Sequence, residues 1–160
     1  MLIVVMGVTG CGKSTVGVAL AERLDVPFGD ADDFHSPENV ARMAAGTPLT
    51  DADRVPWLHA IGAWLASQPD GAVASCSALK RSYRDILRES APGVSFVHLH
   101  GDRETVRRRV SGRAGHFMPS SLVDSQFAAL EPLDPAERGV VLDLDAPVED
   151  LVEAAVRALR

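Results

Sequence analysis

The stretch Gly7-Val8-Thr9-Gly10-Cys11-Gly12-Lys13-Ser14 decides the fold, because it follows the pattern G-x-x-x-x-G-K-S/T. It comes directly after the apolar run Leu2–Met6 and before Thr15–Leu24, where apolar residues recur at helical spacing. Glycines let backbone N–H groups approach a phosphate closely, and the N-terminus of the following helix adds the positive end of its dipole. The stretch therefore predicts a phosphate-binding loop between a strand and a helix.

The same loop predicts which residues contact a nucleoside triphosphate and Mg²⁺. Lys13 is expected to bridge the outer phosphates and to act in catalysis, and Ser14 is expected to hold the metal. The predicted nucleotide-binding residues are Gly7, Val8, Thr9, Gly10, Cys11, Gly12, Lys13, Ser14 and Thr15. Cys11 is open to two interpretations: a thiol whose pKa is lowered at a helix N-terminus, or a small residue tolerated in a loop.

Short apolar segments alternate with helical patterns along the chain of 160 residues, which is enough for one domain. The predicted strands are Leu2–Met6, Val26–Gly29, Ala72–Cys76, Val94–Leu99 and Val140–Leu144. This alternation predicts an α/β fold with a parallel five-stranded sheet and helices on both faces. Ligands in such sheets bind outside the carboxyl ends of the strands.

Composition excludes several classes of partner. Sixteen basic residues against 22 acidic ones give a net charge of −6, whereas a sequence-independent nucleic-acid binder needs a basic surface. The longest apolar run, Met1 to Met6, is too short to span a bilayer, so no membrane partner is expected. Cys11 and Cys76 form no metal-binding spacing. A soluble cytoplasmic protein is the default expectation.

The acidic turn Asp30-Ala31-Asp32-Asp33 follows the second predicted strand, beside the phosphate-binding loop. Asp32 could orient or deprotonate an acceptor hydroxyl, and Asp30 could hold metal-bound water. A helix-capping or solvated turn is an equally good interpretation. A GTPase is excluded, because Asn39 is the only asparagine and it is followed by Val40-Ala41 rather than by the base-reading pattern N-K-x-D. A small kinase fits better.

Seven blocks, in family order from Met6 to Glu131, resemble the gluconate kinases of the P-loop hydroxyl-kinase group. They are Met6–Ser14, Asp30–His35, Asn39 with Met43 and Gly46–Leu49, Asp51–Leu58, Ser75–Arg81 with Tyr83–Asp85, Arg113–Met118, and Ser125–Phe127. Two departures are visible. Pro37 stands one place later than in the usual His-Pro pair, and Thr9 and Cys11 stand where serines are commoner.

The resemblance implies where the acceptor binds, in a region of about residues 31–70. Arg54 is expected to engage the carboxylate of gluconate, since a guanidinium can donate two parallel hydrogen bonds to it. From the residues alone, an ion pair with Asp51 or Asp53 is the better interpretation of Arg54. Further implied substrate-binding residues are Asp32, His35, Lys80, Arg81, His116 and Gln126. His35 could instead be a buried structural histidine.

The resemblance also implies a nucleoside-monophosphate-kinase-like fold with a lid at about residues 112–119. On lid closure Arg113 would reach the transferring phosphoryl group as a third catalytic residue, and Arg109 would stack near adenine. The implied activity is ATP- and Mg²⁺-dependent phosphorylation of D-gluconate at its 6-hydroxyl. The family is often dimeric, which implies a homodimer. Two alternatives stay open: a kinase of a shikimate-type or nucleoside-monophosphate acceptor, and a nucleotide-binding module without turnover.

Overall fold

Five parallel strands form the centre of the protein. In this computed structural model, which describes residues 1–111 and 120–160, the strands are β1 (Leu2–Met6), β2 (Phe28–Asp30), β3 (Ala72–Ser75), β4 (Val94–His100) and β5 (Gly139–Asp143). Their order in the sheet is β2-β3-β1-β4-β5, and every neighbouring pair is parallel. The predicted fold class is confirmed. β1 lies in the middle, so the phosphate-binding loop leaves the sheet at its centre.

Seven α-helices and one short 3-10 helix connect and cover the strands in the described ranges. They are α1 (Lys13–Leu24), the 3-10 helix (Ala31–Phe34), α2 (Pro37–Ala44), α3 (Asp51–Ala66), α4 (Arg81–Ser90), α5 (Arg103–Ser111), α6 (Ser120–Ala129) and α7 (Val148–Leu159). None of these helices is both long and apolar enough to cross a membrane.

Local chemistry explains where the elements begin and end. Ser36 caps α2 through its hydroxyl, with Pro37 in the first turn, and Thr50 and Asp53 form a reciprocal capping box at the start of α3. β2 begins two residues later than predicted. The reason is that α1 ends on Asp25 in a left-handed conformation, with φ of 55°, and the N–H of Val26 still bonds back to Ala21.

The sheet carries one hydrophobic core on each face, because successive side chains of a strand point to opposite sides. Ile3 and Val5 of β1 belong to the core covered by α1 and α7. Val4 and Met6 belong to the core covered by α3 and α4. β1, β3 and β4 are almost wholly buried, as expected for strands with helices on both sides.

A buried ion pair joins helix α4 to the segment before β5. Arg84 of α4 is fully buried, and its Nε lies 2.7 Å from Oε2 of Glu137, whose side chain is 1% exposed. Arg88 also donates to Glu137, at 2.9 Å. Burial alone would raise the pKa of the Glu137 carboxyl. Hydrogen bonds from Arg84, from the backbone N–H of Asp134 and from Arg88 outweigh it and lower the pKa to about 2.

The depressed pKa predicts how acid affects the Glu137→Gln variant. A carboxyl with a lowered folded-state pKa contributes stability above its unfolded pKa, near 4.5, and loses that contribution as the pH falls toward 2. At pH 7 the substitution leaves Arg84 buried without a counter-charge, which should cost about 3 kcal/mol or more. The free energies of unfolding of wild type and variant, measured with denaturant, should converge between pH 4.5 and pH 2.

The control is Glu153→Gln. Glu153 pairs with Arg23 at the same distance, 2.7 Å, but both side chains are about half exposed. Its loss should change the stability much less. Equal effects of the two substitutions at pH 7 would contradict the account of the buried pair.

Candidate functional site

Two cavities flank the phosphate-binding loop at the carboxyl ends of the strands. The first, of about 300 Å³, is lined by the loop residues Thr9, Gly10, Gly12, Lys13, Ser14 and Thr15, and by Asp30, Ala31, Asp32, Trp57, Ser75, Cys76, Ser77 and Gln126. The second, of about 290 Å³, is lined by Gly10, Cys11, Gly12, Thr15, Val16, Arg109, Leu144, Ala146, Val148 and Leu151. The loop thus lies between a polar cavity and a more apolar one.

The loop backbone requires glycine where it turns. Gly7 has φ of +146°, and a Cβ there would lie 2.8 Å from the carbonyl oxygen of Leu99. Gly12 precedes α1 in a left-handed conformation, with φ of 91°, and no described side chain caps the helix. The first N–H groups of α1 are therefore left without a side-chain acceptor, which is the arrangement that binds phosphate.

Lys13 and Thr9 make two of the polar contacts that hold the loop in place. Nζ of Lys13 donates to the carbonyl oxygen of Val8 at 3.3 Å, so the ammonium group curls back over the loop. The backbone N–H of Thr9 donates to Oε1 of Gln126 at 2.5 Å. The structure thus brings Gln126, predicted as an acceptor-binding residue, to the first cavity, where it contacts the nucleotide-binding loop directly.

The acidic turn faces the loop across the first cavity. Oδ1 of Asp30 accepts the backbone N–H of Asp32 at 3.0 Å and thereby caps the 3-10 helix, while Oδ2 lies 3.4 Å from the hydroxyl of Ser14. The capping interpretation of the turn is confirmed. Asp30 and Asp32 also line the cavity, and their roles toward a metal and an acceptor hydroxyl stay predictions. A hydroxyl beside a carboxylate, with Asp32 nearby, is a set of hard oxygen donors that suits Mg²⁺.

His35 lies against the wall of the first cavity. Its ring stacks on Trp57 with centroids 4.3 Å apart, and Trp57 donates its indole N–H to the carbonyl oxygen of Ala31 at 2.7 Å. Nδ1 of His35 is buried and has no partner among the described residues. Burial lowers the pKa of His35, although the charge of Asp32 opposes this, so the ring is held neutral.

Arg54 and Lys80 converge on one carboxylate. Nζ of Lys80 lies 3.3 Å from both oxygens of Asp51, and the hydroxyl of Tyr83 donates to Asp51 at 2.5 Å. Nη1 of Arg54 lies 3.9 Å from Asp51, donates to Leu49 at 2.9 Å and approaches the hydroxyl of Tyr83 at 3.4 Å. Hydrogen bonds from Tyr83 and Lys80 lower the pKa of Asp51. The ion pair expected from the residues alone is therefore present, within a wider cluster of donors.

The other predicted acceptor residues are placed differently. The guanidinium of Arg81 lies 3.3 Å from Asp134. Arg81 is not among the residues that line the first cavity, and neither are Arg54, Lys80 and His35, which lie around it. Its acceptor role stays a prediction. Arg113 and His116, together with the expected lid, lie in residues 112–119, outside the described residues.

Arg109 reaches the second cavity. It donates to the carbonyl oxygens of Cys11, at 3.4 Å, and Leu144, at 3.1 Å. The guanidinium thus joins the phosphate-binding loop to the segment after β5. Between it and the apolar side chains of Val148 and Leu151 is a space beside the loop where a nucleobase could lie.

Several residues of this region were not predicted from the sequence. Tyr83 completes the cluster around Arg54, Lys80 and Asp51, but from the sequence it looks like a core aromatic residue. Arg84 could have been noticed as a cation at a core-facing position, next to Tyr83 and three residues before Leu87. Nothing in the sequence points to Glu137 as its partner 53 residues away.

The two cysteines are expected to be unreactive in the folded protein. Cys11 is 1% exposed and Cys76 is 2% exposed. Burial raises the pKa of Cys11, against the opposing charge of Lys13, so the lowered pKa considered for this thiol is wrong. Burial raises the pKa of Cys76 to about 12.

Because thiolates are the reactive species, iodoacetamide at pH 7.5 should label neither residue until the protein is unfolded. Labelling of Cys11 in the native protein at the unfolded rate, followed by mass spectrometry, would contradict this burial.

Comparison with known proteins places the chain among small-molecule kinases. The family model described as Shikimate kinase matches residues 9–128. Yet a solved shikimate kinase from Bacteroides thetaiotaomicron is only 18% identical, with a TM-score of 0.70 over 99% of this chain and 98% of that one, which shows the fold alone. The similarity is much greater to the gluconokinases.

A gluconokinase from Gluconobacter oxydans is 50% identical over 132 residues, which cover 81% of this chain and 74% of that protein. The crystal structure of a gluconokinase from Sinorhizobium meliloti 1021 is 52% identical, with a TM-score of 0.90 over 99% of this chain and 90% of that one. Identity at this level over most of both chains goes well beyond a shared fold. The chain belongs to the gluconokinase family.

Proposed function

We propose that the protein transfers the γ-phosphoryl group of ATP to the 6-hydroxyl of D-gluconate, giving 6-phospho-D-gluconate and ADP. The observation that carries the proposal is that Lys13 and Asp32 line one cavity, with the phosphate-binding loop on one side and the acidic turn on the other. Family membership identifies gluconate as the acceptor.

The chemistry follows from where the side chains lie. The free N–H groups at the start of α1 and the ammonium group of Lys13 would bind the phosphates and offset the charge that develops on transfer. Asp32 would accept a hydrogen bond from the 6-hydroxyl and take its proton as the oxygen attacks phosphorus. Arg113 is proposed to complete the site when a lid, at about residues 112–119, closes.

Ser14 and Asp30 are the proposed holders of Mg²⁺, with Asp30 acting through a water molecule. Bound there, the metal would neutralise charge on the outer phosphates. The contact between the Ser14 hydroxyl and Asp30 supports this assignment, because it already aligns two oxygen donors beside the loop.

Arg54, Lys80 and Tyr83 surround Asp51 and form a group that we call the donor cluster. It is the proposed binding site for the acceptor carboxylate. Arg54 lies three residues before Trp57 on the same face of α3, and Trp57 lines the first cavity. Lys80 would add a second charge, and His35 and Gln126 would contact the hydroxyl groups. The acceptor-binding region is proposed to be about residues 31–70 of a single kinase domain. Assembly as a homodimer and residence in the cytoplasm are also proposed.

The match to the shikimate kinase model gives one specific reason to test a second acceptor. ADP release should be measured with gluconate, with shikimate, with nucleoside monophosphates and with no acceptor. We expect ADP release to rise strongly with gluconate and with none of the other acceptors. Preference for shikimate or a nucleotide would replace the proposed acceptor, and release that no acceptor changes would indicate a nucleotide-binding module.

The Lys13→Ala variant tests the phosphate-binding role. Loss of the ammonium group should lower kcat by about two or more orders of magnitude, since a charge aimed at the transferring group is removed. Circular dichroism should be unchanged, because Lys13 makes only one hydrogen bond to the described residues. Arg23→Ala, which removes a cation near the other end of α1, is the matched control and should keep wild-type turnover. Near-wild-type kcat in Lys13→Ala would refute the assignment.

A further inference from the structure

Arg84 uses all of its guanidinium nitrogens in hydrogen bonds. Nη1 donates to the carbonyl oxygens of Ala78, at 2.9 Å, and Leu79, at 3.2 Å. Nη2 donates to Pro132 at 3.3 Å and to Glu137 at 3.0 Å, and Nε donates to Glu137 at 2.7 Å. One buried side chain thus joins α4, the segment before β5, and the loop between β3 and α4, residues 76–80, which we call the acceptor loop.

The acceptor loop has a backbone that needs support. Ala78 has φ of 45°, in the left-handed region that residues with a Cβ rarely adopt. Its carbonyl oxygen is one of the two that Arg84 binds. On one side of this turn Cys76 and Ser77 line the first cavity, and on the other Lys80 enters the donor cluster with Asp51. A shift of the turn would therefore move both the cavity wall and Lys80.

Glu131 also holds the acceptor loop, through two hydrogen bonds. Its N–H donates to the carbonyl oxygen of Leu79 at 2.7 Å, and its Oε1 accepts the N–H of Arg81 at 2.7 Å. Glu131 and Glu137 belong to one segment between α6 and β5, so Arg84 and this segment clamp the loop together. Protection of the backbone N–H groups of Arg81 and Glu131 from hydrogen exchange therefore shows whether these contacts are formed.

A gain in folding stability alone does not explain why the chain buries the ion pair of Arg84 and Glu137. Taking a guanidinium and a carboxylate out of water costs several kcal/mol each, and apolar residues of similar size often serve the fold as well or better. What apolar residues cannot do is donate hydrogen bonds to the carbonyl oxygens of Ala78 and Leu79. An apolar replacement would therefore leave both carbonyl oxygens without the donor that Arg84 supplies.

We propose that Arg84, itself fixed by Glu137, is a positioning residue that holds the acceptor loop in the shape that binds the acceptor. The proposal rests on the proposed function, in that the acceptor is gluconate. Arg84 touches no substrate in this account. It acts through the backbone of Ala78 and Leu79 on the cavity wall and on Lys80.

The test compares three variants. Arg84→Met removes the donors and keeps an unbranched side chain. Arg84→Met/Glu137→Leu removes both charges, so no uncompensated charge stays buried, and we expect this variant to fold even where the single variant is unstable. Arg88→Met is the matched control, because Arg88 also pairs with Glu137 but makes no described hydrogen bond to the acceptor loop.

Steady-state kinetics should separate positioning from general loosening. In the Arg84→Met/Glu137→Leu variant we expect the KM for gluconate to rise about tenfold or more, while the KM for ATP stays within about threefold of wild type. Arg88→Met should leave both constants within about twofold. A stable double variant with the wild-type KM for gluconate, or with both KM values raised equally, would overturn the proposal.

Hydrogen exchange tests the clamp without any substrate. The amides of Arg81 and Glu131 should lose protection in the double variant and keep it in Arg88→Met, relative to the amides of β1 in the same protein. Unchanged protection would overturn the proposal. If the wild-type protein does not phosphorylate gluconate, the proposed function fails, and the exchange measurement still decides whether Arg84 holds the loop.

Discussion

The chain has to turn between β1 and helix α1 so that no side chain of the described residues caps the first N–H groups of α1, and the rest of the site depends on that constraint. β1 is buried on both faces between β3 and β4, so the chain leaving Met6 has few ways to turn. A side chain at Gly7 would press on the carbonyl oxygen of Leu99, and Gly12 adopts the left-handed conformation just before α1. The result is a concave backbone suited to binding anions through geometry more than through net charge.

The acceptor side is built by attaching short elements to this fixed loop. Asp30 caps the 3-10 helix and contacts Ser14, while Trp57 ties α3 to the backbone of Ala31. The chain is acidic overall, yet its only two lysines, Lys13 and Lys80, both lie in or beside the proposed site. A few cations held against specific partners suffice to receive anionic substrates within a negatively charged protein. The positions of Lys13 and Lys80 therefore say more about the proposed site than the net charge of the chain does.

The sequence predicted the features that depend on local patterns. The alternation of strand and helix patterns predicted the parallel sheet, and the pattern G-x-x-x-x-G-K-S/T predicted the phosphate-binding loop between β1 and α1. The start of β2 was missed because the left-handed turn at Asp25 has no strong local signal. Long-range pairs were beyond reach for a different reason. The contacts of Arg84 with Glu137 and of Tyr83 with Asp51 join residues dozens of positions apart, and either partner alone has several equally good interpretations. The environment of Cys11 depended likewise on packing, which buries the thiol and raises its pKa.

The proposed reaction transfers the phosphoryl group of ATP to the primary hydroxyl at the end of gluconate opposite its carboxylate. The ³¹P NMR spectrum of the product, recorded with proton coupling, tests this most directly. Attachment at the 6-position predicts a phosphomonoester signal split into a triplet by the two protons on that carbon. A doublet, from attachment at a carbon with one proton, or a signal from inorganic phosphate alone, would contradict the account.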